Sequence, residues 1–240
     1  MRVLVTRPEP GASETAARLE ALGHRPILLP LSEIRPLAPG PVAEMGAFAA
    51  VAATSANALR HAPGALVAAL SSLPCFAVGE TTANAARDGG FSDVRCAMRD
   101  AAALAQMIAV QLPPGTRIAY ICGRVRRSEF EASLAKSGFG TVAIETYDTV
   151  RPSLSMQAMC DRLGGRPVDA ALVHSALGAE ALGELALDAS FASLFAETRY
   201  LCLSARVAAG LGAAAASRAS VSPEPTETAL ISLLGAGGAA

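Results

Sequence analysis

An α/β fold made of two similar doubly wound parallel-sheet domains is what the sequence predicts, on three observations. Short apolar runs alternate with alanine-rich stretches at helical spacing, the pattern of parallel strands joined by crossover helices. The chain resembles itself at an offset of 115 to 125 residues, as two copies of one unit would. Its 240 residues suffice for one large domain or two small ones.

The first strand is Val3-Leu4-Val5. Ser13 to Leu22 follows as a helix, with Ala16, Leu19, Ala21 and Leu22 on one stripe and Gly23 as its stop. Further strands are expected over 26–29, 49–52, 75–78, 117–122, 141–146, 170–173 and 200–203, with helical spacing between them. Arg2 to Arg7, a helix and Gly23-His24 match Arg117 to Cys122, a helix and Gly138-Phe139, 115 residues on. Val51 to Ala56 is echoed by Ala171 to Ala176 at 120 residues, and Phe76 to Ala83 by Leu201 to Ala208 at 125. Offsets that drift by small insertions fit a duplicated unit.

Composition excludes several classes. Lys and Arg number 20 against 21 Asp and Glu, a net charge of −1, so no overall field favours nucleic acid or an acidic membrane. Much of the 52% hydrophobic content is alanine, and every apolar stretch breaks before the ~18 residues a transmembrane helix needs. Val3-Leu4-Val5 is too short for a secretory signal, and a cytoplasmic location is expected. Cys75, Cys96, Cys122, Cys160 and Cys202 form no CxxC pair, three of them (Cys75, Cys122 and Cys202) lie in or beside apolar runs, and they read as reduced core residues. His24, His61 and His174 share no ligand spacing, so no metal site is expected. There is no GxxxxGK[ST] phosphate loop, and the GxGxxA string Gly210 to Ala215 follows a helical stretch and marks a helix end. The tail from Gly235 to Ala240 reads as a frayed terminus.

Ligands of doubly wound domains bind at the carboxyl ends of strands, which directs attention to the strand-to-helix loops. Thr6-Arg7-Pro8, Thr54-Ser55-Ala56-Asn57, Gly79-Glu80-Thr81-Thr82, His174-Ser175 and Ser204-Ala205-Arg206 all place small or hydroxyl residues there. Free backbone N–H groups and a helix dipole suit carboxylates or phosphates at such turns. The same residues are ordinary helix caps, and both readings stand. Gly123-Arg124-Val125-Arg126-Arg127 concentrates three arginines that could fork a carboxylate or line a solvated face. Tyr147, one of three tyrosines, could donate a proton in a cleft or pack in a linker.

These residues resemble a known family, the uroporphyrinogen-III synthases. The matching features are Val5-Thr6-Arg7-Pro8 and Leu22-Gly23, Thr54-Ser55-Ala56-Asn57, and Val78-Gly79-Glu80-Thr81-Thr82-Ala83. Gly123-Arg124, Arg127, Leu134, Gly138, Tyr147-Asp148-Thr149 and Pro225-Thr226 follow in order. His174-Ser175, where the family often has Thr-Ser, and Ser204-Ala205-Arg206, where a Gly-rich turn is common, depart from the pattern.

The resemblance implies two flavodoxin-like domains joined by two extended connectors, with the chain crossing between them. Residues 1–35 and 152–240 would form the first, 38–147 the second, and 36–37 and 148–151 the connectors; Arg35-Pro36-Leu37 and Thr149-Val150-Arg151-Pro152 suit that role. Periodicity alone equally allows a contiguous split near residue 115. The implied activity is a lyase reaction of tetrapyrrole biosynthesis, in which the linear hydroxymethylbilane closes to uroporphyrinogen III with loss of water and inversion of its last ring through a spiro intermediate. It implies no cofactor and no metal. Tyr147 would be the proton donor, and Thr6, Arg7, Thr54, Ser55, Ala56, Asn57, Gly79, Thr81, Thr82, Gly123, Arg124, Arg127, Ser175 and Ser204 would bind substrate. A monomer is expected, in transient contact with the preceding pathway enzyme and without nucleic-acid or membrane partners. The alternative is a noncatalytic two-lobed binder of a small anionic ligand; a nucleotide-using flavodoxin-like enzyme is disfavoured by the missing phosphate loop.

Overall fold

The computed structural model describes residues 1–41 and 47–235, so the glycine-rich tail from residue 236 on lies outside the described residues. The strands are β1 (Arg2–Val5), β2 (Arg25–Leu28), β3 (Glu33–Pro36), β4 (Ala50–Ala53), β5 (Cys75–Val78), β6 (Val94–Ala97), β7 (Arg117–Gly123), β8 (Gly140–Val150), β9 (Ala170–Val173), β10 (Arg199–Cys202) and β11 (Ala219–Val221). The helices are α1 (Gly11–Ala21), α2 (Ala56–Arg60), α3 (Gly64–Leu70), α4 (Gly79–Asp88), α5 (Ala101–Gln111), α6 (Glu129–Lys136), α7 (Met156–Leu163), α8 (Ala176–Leu187), α9 (Ala205–Ala209), α10 (Ala213–Ala216) and α11 (Glu227–Ser232).

The chain forms two compact parallel-sheet units, Met1–Glu33 with Val150–Ala240, and Ile34–Thr149. The first holds a five-stranded sheet in the order β11-β10-β9-β1-β2, with every pairing parallel. Its central strands are apolar on both sides because helices cover both faces. Along β1, Leu4 enters one cluster with Ala171, Val173, Tyr200 and Cys202, while Val3 and Val5 enter another with Leu172, Leu201, Leu230 and Ile231. All three β1 residues are fully buried, each stabilising the sheet by roughly 1.5–3 kcal/mol.

The second unit holds six strands in the order β3-β8-β7-β4-β5-β6, parallel from β8 to β6. Ala50, Ala52, Phe76, Ile118 and Tyr120 point to one face; Val51, Ala53, Cys75, Ala119 and Ile121 point to the other. The connection between the units uses β3 and the end of β8, which are neighbours in this sheet, and the Leu37 N–H donates to the Thr146 carbonyl at 2.8 Å. The extended stretches 36–37 and 148–151 are in part paired strand. Proline at 36 is compatible with that pairing because β3 lies at the sheet edge.

Strand order also explains the repeat offsets. The matched strands are β1 with β7, β4 with β9 and β5 with β10. Counted from β1, the first unit reads 2-1-3-4-5; counted from β7 and then β4, so does the second. Each five-strand parallel core takes two strands from one copy and three from the other, and the second unit adds β3 at its edge. The order is that of flavodoxin-like folds.

Two buried threonines seal strand ends. Thr6 Oγ1 donates to the Leu172 carbonyl at 2.9 Å, and Thr146 Oγ1 to the Ala58 carbonyl at 2.6 Å. Thr6→Val, which keeps the shape and removes the donor, is expected to lower stability by about 1 kcal/mol in urea denaturation.

Candidate functional site

In a parallel sheet every strand delivers its following loop to the same edge. In the second unit that edge gathers the turn after β4, the loop after β6, and the ends of β7 and β8 around a cavity of about 420 Å³. Thr54, Ser55, Gly123, Arg127 and Tyr147 all line it, together with Tyr120, Arg126, Phe130, Glu129 and the start of α5 at Asp100 to Ala102.

Tyr147 is aimed by a register shift. Cys122 pairs with Glu145 but Gly123 pairs with Tyr147, leaving Thr146 as an extra residue on β8. Such a bulge breaks the alternation of side chains. Tyr147 consequently packs against the cluster that holds Ile144, and its ring lies over Gly123, where an added Cβ would come within 2.6 Å of it. The phenol donates to Ser55 Oγ at 3.2 Å, and the His61 ring stands beside it with centroids 6.3 Å apart. Burial, then the charge of Arg60, pushes His61 below its usual pKa, favouring its neutral form.

The neighbouring hydroxyl is held by another phenol. Thr54 Oγ1 and Tyr120 Oη lie 2.7 Å apart, and the Tyr120 ring packs at 4.8 Å against Phe130. Burial outweighs the Thr54 hydrogen bond and drives the Tyr120 phenol up to about 12. Tyr120 lies inside an apolar run, so sequence reading took it for strand core.

The arginines divide by partner. Arg124 reaches Glu145 at 3.2 Å and Asp148 at 3.4 Å, and Arg126 reaches Glu131 and Glu145. The Arg126 hydrogen bond, set against the cost of burial and reinforced by Arg124, keeps Glu145 below the ordinary carboxylate range. Arg127 is exposed and has no ion-pair partner among the described residues. It is the arginine most available to an anion.

Gly79, Thr81 and Thr82 stand at the start of α4 and do not line this cavity. Gly79 has φ +71°, a backbone that favours glycine. Thr81 is exposed and Thr82 buried. Ala56 and Asn57 form the first turn of α2, half-buried beside Ser55.

The first unit's loops are committed differently. Thr6 is bonded within the sheet, as described. Ser175 Oγ accepts from the Gly178 N–H at 3.1 Å and Ser204 Oγ from the Val207 N–H at 3.4 Å, so both cap helices. His174 and Arg7 converge on Glu227, directly after Pro225-Thr226, a residue that no motif in the sequence marks. Glu227 accepts from Thr15 at 2.6 Å and Arg7 at 3.1 Å, and lies 2.8 Å from His174 Nε2. Burial acts to raise the Glu227 carboxyl, but the His174 hydrogen bond and charge, then Thr15 and Arg7, overcome it and hold the group at about 2. His174, the residue that departs from the family pattern, thus has a carboxylate partner.

Among the described residues no group of three or more His, Cys, Asp or Glu side chains could hold a metal ion, and no helix is long and apolar enough to cross a membrane. Burial raises the thiols of Cys75, Cys122 and Cys202 to about 12, as suits core residues, but Cys96 is half-buried and Cys160, on α7, is exposed rather than in the core.

The family model described as uroporphyrinogen-III synthase HemD matches residues 13–232. The uroporphyrinogen-III synthetase of Helicobacter pylori is 18% identical over 98% of this chain and 99% of that one, with a TM-score of 0.64. A mutant uroporphyrinogen III synthase from the extremely thermophilic bacterium Thermus thermophilus is 18% identical over 98% of each chain, with a TM-score of 0.55. At that identity the two structures speak for the fold. Among curated proteins none matches in sequence.

Two outcomes are expected. A Cβ at 123 has no room beside the Tyr147 ring, so Gly123→Ala should cost about 1–3 kcal/mol of stability and displace that ring, readable by denaturation and by crystallography. Glu227→Gln should lose about 2 kcal/mol at pH 7. Because the folded-state carboxyl is depressed from 4.5 to about 2, its stabilisation is complete above the unfolded value and is lost as pH falls toward 2. The gap between wild type and variant should narrow below pH 4.5 in urea titrations.

Proposed function

The chain belongs to the uroporphyrinogen-III synthase family, and on that premise we propose that it closes hydroxymethylbilane to uroporphyrinogen III with loss of water and inversion of the last pyrrole ring. The family match over residues 13–232 carries the reading. The cavity beside Tyr147 supports it with groups suited to the chemistry.

The substrate bears an acetate and a propionate on each pyrrole. Arg127 and the backbone N–H groups at the start of the helices are matched to such carboxylates. Breaking the carbon–oxygen bond of the hydroxymethyl group requires a proton for the departing hydroxyl. The Tyr147 phenol supplies it, water leaves, and an electrophilic azafulvenium cation remains. The last pyrrole attacks through its substituted carbon to give the spiro intermediate, which fragments and recloses with that ring turned. Loss of a proton from the closing carbon restores the pyrrole and returns the proton count to balance. The pyrroles are the nucleophiles, so the chain's work is to donate one proton and to hold the bent substrate; positioning of that kind can supply several kcal/mol.

Enzymatically generated hydroxymethylbilane tests the reading. Isomer III should form, and isomer I alone, the spontaneous product, would mark a noncatalytic binder. Tyr147→Phe should lower kcat by about 10²-fold, the low end for a positioned acid, because the hydroxyl leaves readily from an electron-rich pyrrole. Product affinity and folded fraction should change little, as measured by single-turnover cyclisation and product titration.

A further inference from the structure

The two copies of the repeat differ at one matched pair of turns. Ser175 in the first unit caps its helix through the Gly178 N–H. Its counterpart Ser55, 120 residues earlier, makes no side-chain capping bond to α2 and accepts from Tyr147 instead. A capping serine stabilises its helix, so the second unit forgoes a local stabilisation to keep that oxygen on the phenol. The adjoining residue is diverted as well: Thr54 meets Tyr120, while its counterpart His174 meets Glu227. At the position matching Tyr120 the first copy has Val5, which carries no hydroxyl.

Consecutive hydroxyls on one turn are thus each held by a phenol, from β7 and β8, and all four side chains line the same cavity. Tyr120 is 2% exposed, with its ring fixed against Phe130, and Ala52, two residues before Thr54, is its register partner on β4. It is a rigid post against which the turn is set. We propose that Tyr120 is a positioning residue for the cyclisation: through Thr54 it fixes the turn that carries Ser55, the acceptor that orients the Tyr147 phenol. The inference rests on the reading of Tyr147 as proton donor, and it places the positioning in the sheet itself.

Steady-state kinetics of Tyr120→Phe, Thr54→Val, Thr54→Ser, Tyr147→Phe and the double variants test it, with circular dichroism to establish folding at the assay temperature. Tyr120→Phe keeps the ring and should lower kcat about three- to tenfold, the scale of one neutral hydrogen bond, with KM unchanged. Thr54→Val should do the same, Thr54→Ser should restore the wild-type rate, and Tyr120→Phe with Thr54→Val should be no worse than either alone. Tyr120→Phe should add nothing to Tyr147→Phe, since it acts through that phenol. If Tyr147→Phe is impaired while Tyr120→Phe is not, or if their effects multiply, the positioning role is overturned and the donor reading stands. If Tyr147→Phe cyclises at the wild-type rate, the donor reading falls and the positioning role with it. If Tyr120→Phe does not fold, Thr54→Val set against Thr54→Ser decides: equal rates overturn the role.

Discussion

Parallel strands have to be joined by crossovers that return over a face of the sheet, and the pairings from β11 through β10, β9 and β1 to β2 and from β8 through β7, β4 and β5 to β6 are parallel. Much follows from that. Both faces must be apolar, which gives the four clusters of buried side chains. All the loops that follow strands must also collect on one edge, and there residues as distant in sequence as Thr54 and Tyr147 come within reach of one cavity. The departure from regular pairing that matters most is the bulge at Thr146, which re-aims one side chain and pins the extra residue by its hydroxyl.

Charge is largely spent internally at both edges. Arg7, Arg124 and Arg126 all face carboxylates, in keeping with a net charge of −1. A polyanion reaching the second unit would meet Arg127, backbone amides and hydroxyls more than a broad positive field. Recognition of that kind depends on directed hydrogen bonds, which are strong where water is excluded and select for shape.

Central strands were legible because a run such as Val3-Leu4-Val5 is apolar on both faces. The strands that escaped lie at or near edges and carry weaker signals: Glu33–Pro36 includes a proline, Val94–Ala97 an arginine, and Ala219–Val221 is three residues long. The candidate site was legible as residue types at spacings, with Ser55, Arg127 and Tyr147 placed around one cavity. Side-chain partners were not legible, because a serine after a strand looks the same whether it caps a helix, as Ser175 does, or accepts from a phenol, as Ser55 does. Tyr120 was hidden by its apolar neighbours, and Glu227 by standing at the start of a helix where an acidic residue is ordinary.

The exchange of halves between the repeat copies constrains how the protein can be made. Val5 and its sheet partners in β9 are separated by the whole of the second unit. At about 5–20 residues per second, the ribosome must run on the order of ten seconds or more after finishing β1 before β9 exists. Until then β1, with Val3, Leu4 and Val5 destined for the core, has only β2 beside it. The second unit is continuous and can fold meanwhile. Once it has, the neighbouring β3 and β8 hold the two crossing segments together, which removes about 1 kcal/mol from the entropy of closing so long a loop. The finished second unit thereby acts as a clamp on which the first is completed, and the early chain is the segment a holding chaperone would have most reason to cover.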